Sequence, residues 1–178
     1  MSKVLAIDTS TSRTSVAIVQ DGKVVFSGFR DGATAHGPSL PALVQEALAV
    51  SDVDEVVVGM GPGPFTGLRV GIAFAQCFAL AREIPVRGVC SLDAIAAQLI
   101  DKDFIITVDA RRKEVYWARY TDGIRVGYPA VNFPADVTGA KIYADLFPDM
   151  VSLANLPGDV TEPIYLRRPD AVATVDRP

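Results

Sequence analysis

One histidine, two cysteines and one tryptophan in 178 residues leave little material for several kinds of chemistry. A lone histidine, His36, cannot form the His-x-x-x-His pair that seats a metal on one helix face, and no cysteine is placed to substitute. A Ser-His-Asp triad would have to use His36, and no Gly-x-Ser-x-Gly elbow presents a nucleophile to it. Cys77 and Cys90 belong to no Cys-x-x-Cys pair and sit in apolar surroundings, so both read as buried, reduced thiols. Long apolar runs are missing too. Val70 to Ala81 is the longest, and it is too short to span a bilayer. Met1-Ser2-Lys3 leads straight into strand-like sequence with no signal peptide, and the chain reads as cytoplasmic with no membrane partner.

Positive charge is in deficit: 17 lysines and arginines face 21 acids, a net charge of −4. Such a chain repels a phosphate backbone at long range and is a poor stand-alone nucleic-acid binder. Its local basic clusters, Arg111-Arg112-Lys113 and Arg167-Arg168, read as solvated surface in preference to RNA contacts. What remains is a globular composition, 49% apolar and 21% charged, with no signature of disorder.

An internal repeat organises the chain. Val4 to Asp8 is a short apolar run closed by an acid, Ser15 to Val19 is another, and Asp21-Gly22 follows as a hairpin turn before Val24-Val25-Phe26. The pattern returns as Ile105 to Asp109, Val115 to Tyr120 and Asp122-Gly123, with Asp8/Asp109, Ala17/Ala118 and Val25/Val126 in step. Between the copies, Ser39 reads as the N-cap of a helix whose apolar face is Leu40, Leu43, Val44, Ala47 and Leu48. Glu55 to Gly59 reads as a buried strand, 68–82 as a helix, Val86 to Cys90 as a strand, and Ser91 as the cap of a helix reaching Ile100. The second copy is thinner and proline-rich: 141–146 is either strand or short helix, 164–166 a last short strand, and 171–178 a frayed tail. This is an α/β plan, that of the actin-like and sugar-kinase ATPases. It has two duplicated ribonuclease-H-like lobes, 1–102 and a reduced 103–178.

Gly61-Pro62-Gly63-Pro64-Phe65-Thr66-Gly67-Leu68-Arg69 joins a strand to a helix. A helix start can hold an anion, but no Gly-Lys-Ser/Thr follows and two prolines remove donors, so a rigid connector is the preferred reading. With Ile7-Asp8-Thr9-Ser10, Ile84-Pro85-Val86, Val89-Cys90-Ser91-Leu92, Asp109-Ala110-Arg111 and Pro163-Ile164-Tyr165-Leu166-Arg167, this element resembles the TsaB/YeaZ proteins along nearly the whole chain. Pro64 stands where serine is more usual, and the second lobe lacks a clear helix before Pro163.

The resemblance implies a non-catalytic scaffold for tRNA threonylcarbamoyladenosine modification. It would pair with the catalytic TsaD, work with the ATPase TsaE, meet tRNA only through that complex and need no cofactor or metal. Actin-like ATPases place a glycine two residues after the loop acid, so that phosphates can approach. Here Ser10 follows Asp8 and Arg111 follows Asp109, which makes both phosphate loops degenerate and both acids hairpin-turn residues. The alternative is a small ATP-dependent phosphotransferase of the same fold. His36 is expected in a loop or an interface. The helix after Thr66 is apolar on nearly every side, and its residues Leu68, Gly71, Ile72, Ala75, Phe78 and Ala79, with Leu40 and Leu43 of the preceding helix, are the expected partner interface. Alone, the chain is expected to homodimerise through the same surface.

Overall fold

The computed structural model describes residues 2–167. Strands β1 (Lys3–Asp8), β2 (Arg13–Gln20) and β3 (Lys23–Asp31) form an antiparallel meander, and Asp21 (φ 52°) with Gly22 (φ 72°) makes the tight turn that its sequence announces. Helix α1 (His36–Val50) then carries the chain across the sheet to β4 (Glu55–Gly59), parallel to β1. Helix α2 (Phe65–Arg82) leads to β5 (Val86–Val89), which completes a five-stranded sheet ordered β3-β2-β1-β4-β5. After α3 (Ser91–Ala96) the plan repeats with β6 (Asp103–Asp109), β7 (Val115–Thr121) and β8 (Ile124–Asn132), again turned by Asp122 (φ 49°) and Gly123 (φ 78°). Strand β9 (Lys141–Tyr143) pairs parallel to β6, so the second sheet is ordered β8-β7-β6-β9. Here the crossover is a loop holding one 3-10 turn, Pro134–Asp136, in the place that α1 occupies in the first copy. The strand option for 141–146 is thus the one realised, over three residues.

Alternation along the first sheet sorts its side chains. Leu5, Ile7, Val16, Ile18, Val56 and Val58 pack on one face against Leu40, Leu43, Leu68 and Ile72 of α1 and α2. The other face is built from small residues, Ala6 and Ala17 beside Val57 and Val89, and helix α4 (Met150–Asn155) lies on it through Met150, Leu153 and Ala154. So a helix from the second half of the chain covers the first sheet. In return α3, from the first half, packs Leu92 and Ile95 against Phe104, Ile106, Tyr116 and Tyr120 of the second. Tyr120 donates its hydroxyl to Asp93 of α3 at 2.7 Å, and Arg125 lies 3.1 Å from the same carboxylate.

Several expected boundaries move, each for a physical reason. Helix α1 starts at His36, with Ala35 rather than Ser39 at its cap; Pro38 then falls in the first turn, where an N–H has no intrahelical partner to lose. Cys90 is the N-cap of α3 and Ser91 is not, because the Ser91 hydroxyl is engaged elsewhere, as described below; the helix stops at Ala96, short of Ile100. Residues 164–166 make no strand: Ile164 donates one hydrogen bond to the Met60 carbonyl, 2.8 Å long, and the segment runs on irregularly. Cys90 is fully buried, and burial above all pushes its thiol up to about 12. Cys77 is exposed on the outer side of α2, against expectation, since the helix buries only the opposite side. The expected tail, 171–178, lies outside the described residues. Helix α4 was not expected at all, yet Asp149 announces it: its carboxylate accepts the Ser152 N–H at 2.7 Å, a side-chain cap three residues ahead.

Candidate functional site

Asp8 ends β1 and is 1% exposed. One carboxylate oxygen accepts the Ser10 N–H (2.9 Å) and the Ser10 hydroxyl (2.7 Å); the other accepts the Ser91 hydroxyl (2.7 Å), which itself receives the Gly61 N–H (3.2 Å). Burial raises the carboxyl above its ordinary 3.8, and the hydrogen bonds from Ser91 and Ser10 offset part of that rise. Both oxygens are thus spent on the protein's own donors. Around this knot the glycines have one job in common. A β-carbon on Gly59 would overlap the Asp8 carboxylate, one on Gly63 would strike the Ser10 backbone, and one on Gly71 the Thr9 hydroxyl. On Gly67 it would lie 3.0 Å from the Thr9 carbonyl and 3.3 Å from the His36 ring. Thr9 completes the seam by donating its hydroxyl to the Gly67 carbonyl at 2.8 Å. The Gly-Pro-Gly connector lets the start of α2 settle directly on the β1–β2 loop.

His36 lies in neither a loop nor an exposed interface. It is the first residue of α1, 4% exposed, with Nδ1 2.8 Å from the Thr14 hydroxyl. Burial lowers its pKa in spite of the nearby Asp8, so the ring is neutral at neutral pH. Among the described residues no group of three or more His, Cys, Asp and Glu could hold a metal.

The second loop differs. Asp109 keeps a side chain 67% exposed and accepts the Arg111 N–H at 2.9 Å, with the Arg111 guanidinium 3.7 Å away. Arg111, Arg112 and Lys113 all have positive φ (64°, 53° and 63°), forming a left-handed turn closed by Glu114 N–H to the Arg111 carbonyl. Outside glycine that conformation costs on the order of 1–2 kcal/mol per residue. Arg167 steadies the turn from outside through the Ala110 carbonyl (2.9 Å), the Arg111 carbonyl (3.4 Å) and the Glu114 carboxylate.

Between the two lobes lies a cleft of about 670 Å³. One wall is the start of α2, Gly63 to Gly67, with Ala33 and Thr34; the other is Ala110, Arg111, Arg112, Tyr116 and the segment 165–167. No side chain caps α2 and no acid lies in its first turn. Asp8 and Ser10 do not line this cleft, whereas Arg111 does. The two acids that the repeat pairs in sequence are therefore not brought together as one site.

The residues expected at a partner interface point inward. Leu68, Gly71, Ile72, Ala75 and Ala79 are all buried, as are Leu40 and Leu43, and all but Gly71 pack in the first core; Phe78 is half-buried and stacks on Phe74 with ring centroids 5.9 Å apart. The strip of small residues gives close approach, but to the chain's own β1–β2 loop. The outer side of α2 carries Ala73, Gln76, Cys77 and Leu80, the last 81% exposed. Nothing in the periodicity chose between the two sides, because a helix apolar all round has no favoured face.

Two duplicated lobes around a cleft, with the crossed meander and the strand-to-helix loop, define the actin-like and sugar-kinase fold. The family model described as TsaD, tRNA N6-adenosine threonylcarbamoyltransferase, matches residues 31–141. A tRNA threonylcarbamoyladenosine biosynthesis protein TsaB from Escherichia coli is 39% identical over 127 residues, covering 66% of this chain and 54% of that one. YeaZ from Pseudomonas aeruginosa superposes with a TM-score of 0.75 at 29% identity, covering 86% of this chain and 89% of that one. This chain belongs to the TsaB/YeaZ family. An uncharacterized protein of Mycobacterium bovis is 47% identical across 96% of this chain and 94% of its own length. That alignment runs to 200 residues against the 178 here, so the relative carries residues inside the aligned span that this chain lacks. No helix among the described residues is long and apolar enough to cross a membrane.

Proposed function

We propose that this protein serves tRNA threonylcarbamoyladenosine biosynthesis as a subunit with no catalytic centre of its own, which docks the catalytic TsaD and works with the ATPase TsaE in the cytoplasm. The observation that carries this reading is the state of Asp8. The acid that would face the metal and phosphates in a working ATPase is buried, hydrogen-bonded on both oxygens to Ser10 and Ser91, and held outside the cleft. A helix-on-helix contact through the outer side of α2 fits the second half of the proposal, since Ala73, Cys77 and Leu80 present apolar surface flanked by Arg69 and Arg82. The same surface accounts for a homodimer when TsaD is absent.

Capture of purified TsaD tests the reading. Leu80→Arg changes an exposed residue and should leave stability within about 0.5 kcal/mol of wild type, while abolishing both capture and homodimer. Undiminished capture by a folded variant would remove α2 from the interface. Ala75→Arg, at a fully buried position, should instead unfold the chain. A calorimetric titration that gives micromolar affinity for Mg-ATP would favour the phosphotransferase alternative and end the non-catalytic reading.

A further inference from the structure

The cleft between the lobes has a charge and a surface that the docking role leaves unused. The chain as a whole is acidic, yet among the described residues no aspartate or glutamate lines this cavity, while Arg111, Arg112 and Arg167 do, Arg111 with the Asp109 carboxylate 3.7 Å away and Arg167 paired with Glu114. Facing them is the uncapped start of the 18-residue α2, whose first N–H groups have no intrahelical partner, with the Thr34 and Thr66 hydroxyls beside it. At the rim the Tyr165 ring lies against Phe65, centroids 4.9 Å apart, and stays 40% exposed. Arginine and chain amides for an anion, next to an exposed aromatic ring, match single-stranded nucleic acid.

We propose that the interlobe cleft binds a short single-stranded RNA segment, its phosphodiesters between Arg111 and the start of α2 and one base stacked on Tyr165. The inference deepens the tRNA-modification reading and rests on it for the identity of the nucleic acid. A magnesium-bound triphosphate fits less well, because such a ligand asks for a carboxylate and the described lining residues include none. A phosphodiester carries one charge per unit and asks only for guanidinium and amide donors. An acidic peptide would satisfy the arginines but would gain nothing from the ring.

Fluorescence anisotropy with a labelled single-stranded oligoribonucleotide of mixed sequence tests the proposal on the full chain. A polyglutamate peptide serves as competitor, and circular dichroism checks each variant. Tyr165→Ala should weaken binding about tenfold without changing its salt dependence. Arg111→Ala should weaken it and lower the slope of log affinity against log salt by about 1. Thr66→Glu is the sharpest arm: an acid in the first turn favours the helix yet repels an anion, so the fold should hold while RNA binding falls at least tenfold. No binding by wild type, or affinity indifferent to all three changes, overturns the proposal; so does displacement by polyglutamate as readily as by unlabelled RNA. TsaD capture is measured on the same variants. Retained capture without RNA binding sinks the cleft assignment alone, and failed capture sinks the subunit reading alone.

Discussion

The two lobes share a strand order, a turn and a terminal acid, and they put that acid to different uses. Asp8 is sealed beneath α2 and α3, while Asp109 stands in solvent beside a left-handed turn. The cause lies in what crosses each sheet. In the first lobe α1 and α2 close over the loop after β1, and glycines at 59, 63, 67 and 71 let backbone and side chain meet there. In the second lobe the crossover is a 3-10 turn, β9 has three residues, and among the described residues no helix comes down on the loop after β6. Duplication of a strand pattern therefore does not duplicate a site. Whether an acid becomes a structural knot or a surface group depends on the layer above it.

That contrast can be broken most forcefully at its glycines. Gly59→Ala would push a methyl group into the Asp8 carboxylate and the Ser91 hydroxyl, both fixed by packing and hydrogen bonds. A loss of about 3 kcal/mol or more is expected. Gly123→Ala in the second lobe meets nothing within 4 Å and pays only for its positive φ, about 1 kcal/mol. Urea denaturation of both variants gives the comparison directly. Equal losses would mean that Asp8 is less tightly enclosed than its contacts indicate.

Much of this was legible in the sequence, and the failures have definite sources. The meander, both Asp-Gly turns and the 101-residue repeat followed from period-two patterning and turn chemistry, which are local. The inward direction of Gly71, Ala75 and Ala79 was not legible, since it depends on the Thr9 loop, distant in sequence. Ser91 looks like a cap and satisfies the same local rule that Asp149 does; only the buried Asp8, 83 positions away, draws its hydroxyl off. The exchange of α3 and α4 between sheets escaped for the same reason. Short helices with weak periodicity are placed by tertiary contact, and neither lobe can be read apart from the other.

The exchange itself gives the next test. Arg87 on β5 joins Glu55 on β4 to the Ala154 and Leu156 carbonyls at the end of α4, and so pins the borrowed helix to the first sheet. Its side chain is 25% exposed, which spares the interaction from full screening. Arg87→Ala should cost about 2 kcal/mol, and amide exchange should rise in α4 before it rises in β1 or β2. Uniform acceleration across the first sheet would show that α4 is part of its cooperative core and no detachable cover.

The smallest expected effect separates the two acids themselves. Asp8→Asn keeps the shape but sets an NH2 group either against the Ser10 N–H and hydroxyl or against the Ser91 hydroxyl, each of which donates to the carboxylate in wild type. About 1–2 kcal/mol should be lost at neutral pH, whereas Asp109→Asn on the surface should change stability by less than about 0.5 kcal/mol. The pH dependence carries its own sign. Burial raises the Asp8 carboxyl in the folded state above its ordinary 3.8, so between 3.8 and the raised value the folded chain binds more protons than the unfolded one. Stability contributed by Asp8 is then greatest at the acidic end of that window and declines as pH rises through it. Asn does not titrate. The advantage of wild type over Asp8→Asn should therefore be larger just above pH 3.8 than at neutrality. An advantage that grows toward neutral pH would mean that the donors around Asp8 outweigh its burial and that the carboxyl sits below its ordinary range.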